Sequence, residues 1–142
     1  MKKLIIIPAL VAAIGFTACA QNINATKVPA VVMSAFQKQF KGVTAKWEKE
    51  NDKYEAGFTF KGATMSATYA LNGSLQETEV DIKVVELPAT ILTYVKEHYK
   101  GKTIKEGAKI TKSDGSVNYE AEVAGKDVIF DANGKFLKEM KD

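Results

Sequence analysis

Two stretches of the chain carry apolar residues at helical spacing, and each is followed by stretches in which apolar and polar residues alternate. Val32, Phe36 and Phe40 fall at i, i+4 and i+8, with Ala35 widening the stripe, so residues 29–40 predict an amphipathic helix. Pro29 suits a first helical turn, where its missing N–H costs nothing. Lys41-Gly42 ends the helix with a cation at the negative end of the dipole and a residue that tolerates a left-handed cap. Ile91, Val95 and Tyr99 repeat these offsets behind Pro88, with Leu92 beside them and Lys100-Gly101 as the stop.

After each helix the period changes to 2. Tyr54, Ala56, Phe58 and Phe60 share one face of a predicted strand and Glu55, Gly57 and Thr59 the other; further on, Val117, Tyr119, Ala121 and Val123 oppose Asn118, Glu120 and Glu122. Turn signals recur at Asn51-Asp52, Lys61-Gly62 and Asn72-Gly73, then at Asp114-Gly115, Gly125-Lys126 and Asn133-Gly134. The order of elements therefore repeats: Tyr54-Glu55-Ala56 answers Tyr119-Glu120-Ala121, and the Asn72-Gly73 turn answers Asn133-Gly134.

A lone helix over four strands leaves open sheet edges, which are a liability that pairing the two copies reduces. The expected fold is thus α+β: two tandem α-β-β-β-β repeats forming one antiparallel sheet of about eight strands, with both helices on one face. Residues 28–82 form repeat one and 83–142 repeat two, both in one domain; residues 21–27 read as a polar tether. The sheet face away from the helices is expected to be exposed.

Residues 1–20 read as an export signal. Lys2 and Lys3 precede an apolar run over residues 4–16, and Thr17-Ala18-Cys19-Ala20 is a small-residue exit. That run is 13 residues long, short of the roughly 20 needed to span a bilayer. Cys19, the single cysteine, admits two readings. Cleavage after Ala20 leaves a soluble chain; a lipobox reading of Phe16-Thr17-Ala18-Cys19 makes Cys19 a lipidated first residue and the membrane a partner. Either reading places the protein outside the cytoplasm, periplasmic, secreted or lipid-anchored in the envelope, and leaves no thiol for a disulfide.

The formal charge of +3 falls to +1 without Lys2 and Lys3, and all 20 basic residues are Lys. Without Arg there is no bidentate guanidinium for phosphate or guanine, and Lys is interspersed with Glu and Asp, so nucleic acid is excluded as the expected partner. His98 is the only histidine. One imidazole near a helix end, with no free thiol, builds neither a His-rich metal site nor a triad, so no catalytic residue, metal or cofactor is expected.

Five residues are candidates for binding. Glu77, Glu79 and Asp81 place three carboxylates on one strand face, where they could hold a cation or a basic partner or simply form an acidic solvent face. Trp47 and Tyr69 are either interface anchors on the sheet or core residues beneath a helix. Glu106 stands at Trp47's offset in the second copy, which favours a role for Trp47 outside the core. Asp131-Ala132-Asn133-Gly134 lacks the downstream Glu of a calcium loop and reads as a turn. Thr64, Ser66 and Thr68 read as a soluble strand face.

The Pro-led helices ending in Phe40-Lys41-Gly42 and Tyr99-Lys100-Gly101, followed by Asn-Gly hairpins, resemble the PepSY-like proteins related to beta-lactamase-inhibitor-like proteins. The resemblance covers residues 28–140. It implies an exported protein without enzymatic activity that binds, and in some relatives inhibits, another protein through the sheet face and a hairpin. The disulfides of the inhibitor are absent here. The expected function is a non-enzymatic exported binding module, an inhibitor or modulator of an envelope or extracellular protein or peptide, acting as a monomer. The alternative is a small-ligand or cation-binding envelope protein.

Overall fold

The structure, a computed structural model, describes residues 20–141; the export signal and Cys19 lie outside the described residues. Among the described residues nine antiparallel strands form one sheet in sequence order, with two α-helices, an α+β fold. The chain divides into two compact units at Gln76 and Glu77.

The first unit contains β1 (Gln21–Ile23), a 3-10 turn (Ala25–Lys27), α1 (Ala30–Gln39), β2 (Lys46–Glu50), β3 (Lys53–Phe60) and β4 (Ala63–Ala70). Residues 21–27, expected to be a tether, are therefore folded. Ile23 pairs with Trp47 across β1 and β2 and packs against the core, and the Asn24 side chain accepts a hydrogen bond from Thr26 N at 3.0 Å. A burying isoleucine and a capping asparagine outweigh the polar composition of the segment.

The second unit repeats the order. It runs from β5 (Leu75–Ile82), which begins just before the division, through a 3-10 turn (Val84–Glu86), α2 (Ala89–His98), β6 (Ile104–Lys112), β7 (Val117–Val123) and β8 (Lys126–Asp131) to β9 (Phe136–Lys141). The end of β5 stands to α2 as β1 stands to α1: Ile82 pairs with Gly107 as Ile23 pairs with Trp47. β5 thus closes one copy and opens the next, and with β1 added the sheet has nine strands instead of about eight.

Pro29 and Pro88 sit at the N-caps, one position before the first turn expected for them; Gly42 and Gly101 end the helices with φ of 77° and 73°. Both helices bury the predicted stripe, Val32 and Phe36 in α1, Ile91 and Val95 in α2. The first core centres on Phe36, whose ring centroid lies 5.4 Å from Phe40, 5.3 Å from Trp47, 5.1 Å from Phe58 and 6.4 Å from Tyr69. The pairs with Trp47, Phe58 and Tyr69 are edge-on, and such pairs contribute about 0.5–1.5 kcal/mol each beyond the area they bury. The second core is largely aliphatic: Leu87, Ile91, Val95, Val123 and Val128, with Phe130.

A β-bulge between Ile104 and Glu106 shifts the register of β6. Trp47 pairs with Ala56, and the residue pairing with the matching Ala121 is Gly107. The counterpart of Trp47 is therefore Gly107, not Glu106, and Leu87 fills the space: a Cβ on Gly107 would lie 3.2 Å from Leu87 Cδ1. An inserted residue cannot be seen by counting offsets.

Candidate binding face

Trp47 and Tyr69 lie on the α1 side of the sheet, 3% and 1% exposed. The Tyr69 hydroxyl donates to Gln39 Oε1 at 3.3 Å, and burial pushes the phenol up to about 12. Both rings are core, packed around Phe36. Rings so enclosed offer a partner almost no surface; the core alternative is the one that this geometry fits.

His98 caps α2. Its ring stacks on Tyr94 at 3.9 Å between centroids, and Nδ1 lies 2.9 Å from the Tyr94 carbonyl oxygen. Asp131 forms the expected turn, accepting from Asn133 N at 2.8 Å and Lys135 N at 3.0 Å. Thr68, on the strand face expected to be soluble, is buried opposite Glu55.

The face away from each unit's own helix is where acidic residues collect. In the first unit it carries Glu48, Glu50 and Glu55 with Lys53, and Glu48 pairs directly with Glu55. Burial first, and then the charge of Glu50, raise the Glu48 carboxyl above its usual range. Ala20, Glu48, Glu50, Lys53, Glu55 and Thr68 line a small recess.

In the second unit the strand pairing lays out a two-dimensional array. One row runs Asp81, Ala108, Glu120, Ile129, Lys138; the next runs Glu79, Ile110, Asn118, Asp131; a third contains Glu122, Asp127 and Met140. Glu79 and Asp81 belong to this array, Asp81 exposed and Glu79 buried, and Glu77 stands half-buried at its end opposite Lys112. Ala108, Ile110 and Ile129 are buried, as are Glu120, Glu122 and Asp127. The face expected to be exposed is therefore a mixed layer of aliphatic and acidic groups that opens to solvent at Asp81, Glu106 and Lys112. Lys105 Nζ bonds Glu122 at 2.9 Å.

Pattern reading did not single out Glu120, Glu122 and Asp127. A signal was present: Glu120 and Glu122 share one face at period 2, and the Ala124-Gly125 turn folds Asp127 back against Glu122. Among the described residues no three His, Cys, Asp or Glu side chains converge to hold a metal ion, and no helix is long and apolar enough to cross a membrane.

Comparisons with known proteins place the fold. The sequence matches no family model and no curated protein. Solved structures match over most of the chain. A periplasmic protein described as putative, from Bacteroides eggerthii, is 14% identical over 80% of this chain and 88% of its own, with a TM-score of 0.69. A DUF2874 family protein from Bacteroides uniformis is 16% identical over the same shares, also with a TM-score of 0.69. A BLIP-like protein from Bacteroides fragilis is 22% identical over 80% of this chain and 85% of its own, with a TM-score of 0.62. The chain is similar in fold to these DUF2874 and BLIP-like structures.

Proposed function

We propose that the chain is a non-enzymatic, exported binding module that engages a basic protein or peptide through the acidic face of its second unit. The observation that carries this reading is the edge of the array that solvent reaches, where the exposed Asp81 and the half-buried Glu77 stand beside the buried layer of Glu79, Ala108, Ile110 and Glu120. Long basic side chains carry a charged head on an aliphatic stem, and a face that alternates carboxylates with aliphatic groups suits both parts. Glu122 and Asp127 pair across adjacent strands, and Lys105 bonds Glu122 at 2.9 Å, so a Lys side chain of the chain itself already engages this face.

The export reading of residues 1–20 and the kinship to PepSY-like proteins belong to this proposal. So does the absence of catalysis: the ring of His98 stacks on Tyr94 and its Nδ1 faces a backbone carbonyl, so it is not set beside a nucleophile. Partner capture from the envelope with the mature chain, run beside the Glu77→Gln/Asp81→Asn variant, tests the proposal. Partners retained by the native chain at low salt and lost by the variant are expected. Equal retention by both removes the acidic face from the function.

The alternative, a cation-binding protein, is less well supported because the acidic side chains do not converge on a common point. Equilibrium dialysis against calcium is expected to show no stoichiometric uptake, and uptake lost in the same variant would reverse the ranking.

A further inference from the structure

The β8–β9 hairpin leans on the start of α2. Thr90 Oγ1 donates to the Asn133 carbonyl oxygen at 3.0 Å, and a Cβ on Gly134 would overlap that hydroxyl. One turn further along the helix the Tyr94 ring lies nearly parallel to that of Phe136, with centroids 5.3 Å apart. Between helix and hairpin runs an open groove of about 590 Å³, lined by Ala89, Thr93 and Glu97 of α2, by Lys135, and by these two half-buried rings. Contacts within the second unit hold both walls, so an occupant meets a preformed surface.

The ends of the groove differ in charge. Lys135 follows Gly134 and belongs to the end at the first turn of α2, whereas Glu97 stands about two turns further along the helix. Both residues are exposed, and neither side chain bonds or ion-pairs with another described residue. The first unit lacks this arrangement: Lys38 and Ser74 stand at the positions of Glu97 and Lys135, and Ala35 and Leu75 at those of Tyr94 and Phe136. The groove is thus a departure from the shared scaffold.

We propose that its occupant is the same groove of a second copy, in a reversible dimer about a two-fold axis. A surface that carries both members of a charge pair, unpaired on one copy, is complementary to itself when turned over: Glu97 faces the partner's Lys135, and Lys135 the partner's Glu97. The helix is both wall and filling. An axis beside Thr93 sets the two α2 helices antiparallel, and the i, i+4 ridge of Ala89, Thr93 and Glu97 enters the groove of the other copy over its Tyr94 and Phe136 rings. Net charge does not oppose this, because without Lys2 and Lys3 the chain carries only +1. Eight residues line the groove, against roughly 20–30 a side in a stable interface, so the dimer comes apart on dilution. The sheet face away from α2 stays open, and the dimer does not depend on the binding proposed for that face.

Sedimentation equilibrium of the mature chain, loaded from about 10 μM to about 1 mM to cover a weak complex, tests the proposal. The mean mass should rise from monomer toward dimer with concentration. Glu97→Lys and Lys135→Glu should each weaken association by about tenfold, since the two-fold axis doubles every change at a solvated pair. An equimolar mixture of the two variants should recover it, because each ammonium then meets a carboxylate again; both positions are exposed, and a misfolded variant could not give this recovery. A native chain that stays monomeric throughout overturns the proposal, whatever else binds the groove. So does a dimer indifferent to both charge reversals, or a mixture that remains as weak as its components.

Discussion

At one and the same place in the two copies, the first unit carries Trp47 and the second Gly107. Each pairs with the matching alanine of the next strand, Ala56 or Ala121. The first unit fills the layer from the sheet, with an indole packed on Phe36, whereas the second fills it from above, with Leu87 lowered onto a bare backbone. The two solutions place bulk on opposite partners of one interface. Duplicated units can thus keep a backbone while exchanging which element supplies volume, because a core requires filled space more than any particular residue.

The largest expected effect follows from breaking the first solution. Trp47→Ala empties a site enclosed by Phe36 and Tyr69, and should cost about 3–5 kcal/mol in denaturant unfolding. A loss below about 1 kcal/mol would mean that Trp47 does not hold the first core together. In the second unit the converse substitution, Gly107→Leu, overfills the layer at a cost of about 1–3 kcal/mol. Leu87→Ala should rescue it in part, so that the double variant is more stable than the sum of the single losses requires.

A second difference concerns the two equivalent hairpins that lean on the helix starts. Gly73 and Gly134 have φ of 83° and 79°, where L residues are strained. A Cβ on Gly73 would meet the Val31 carbonyl oxygen and Cγ2 at 2.9 Å, whereas one on Gly134 would overlap Thr90 Oγ1. Either glycine-to-alanine change should cost about 1–3 kcal/mol. The comparison sharpens with the second-site change. Thr90→Ala should recover part of the Gly134→Ala loss, while Val31→Ala should recover little of the Gly73→Ala loss, since the clashing carbonyl belongs to the backbone. Equal recovery in both hairpins would contradict this distinction.

The helices, the alternation of the strands and the tandem order were legible from Val32, Phe36, Ile91 and Val95 and from the two Tyr-Glu-Ala strands, because burial on one face imposes a period that composition alone cannot hide. β1 was hidden by the polar residues around Ile23, although Ile23 and Val28-Pro29 match Ile82 and Leu87-Pro88 in spacing. The bulge at Ile104 was hidden because one inserted residue alters register without altering composition, and it moved the match for Trp47 from Glu106 to Gly107. The acidic array was legible in part. Glu77, Glu79 and Asp81 stand out on one strand, but that Glu120, Glu122 and Asp127 share their face is a matter of pairing across strands.

Titration of the phenols separates the units by a smaller effect. Tyr69 and Tyr99 are both pushed up to about 12, each first by burial, and Tyr99 also by its hydrogen bond to Glu139. A phenol whose folded value is raised stabilises the fold below its unfolded value of about 10, and that contribution is lost as the pH rises toward about 12. Unfolding free energy should therefore fall over this window, by on the order of 2 kcal/mol for Tyr69. Tyr69→Phe should flatten the first unit's share and leave that of Tyr99. A profile unchanged by Tyr69→Phe would mean that the Tyr69 phenol ionises without opening the core.

The smallest expected effect comes from the acids, where the two units should respond with opposite sign. In the first, Glu48 is raised by burial and then by Glu50, so its folded form binds a proton more readily than the unfolded chain. Stability from Glu48 is present at acid pH and lost as the pH rises through its folded value. In the second, Glu139 is lowered by Lys126, 2.5 Å away, and by the Tyr99 hydroxyl. Its contribution is present above the unfolded value and lost as the pH falls through the folded one. Glu48→Gln should therefore raise relative stability at neutral pH and have little effect near pH 3. Glu139→Gln should lower stability at neutral pH, and by progressively less as the pH falls through the folded value of Glu139. Glu139 and Lys126 are largely solvated, and such pairs are weak and screened by salt, so the Glu139 response should shrink in 1 M salt while the desolvation part of the Glu48 response persists. If salt abolished both responses alike, burial would not be what distinguishes the carboxylate of the first unit from that of the second.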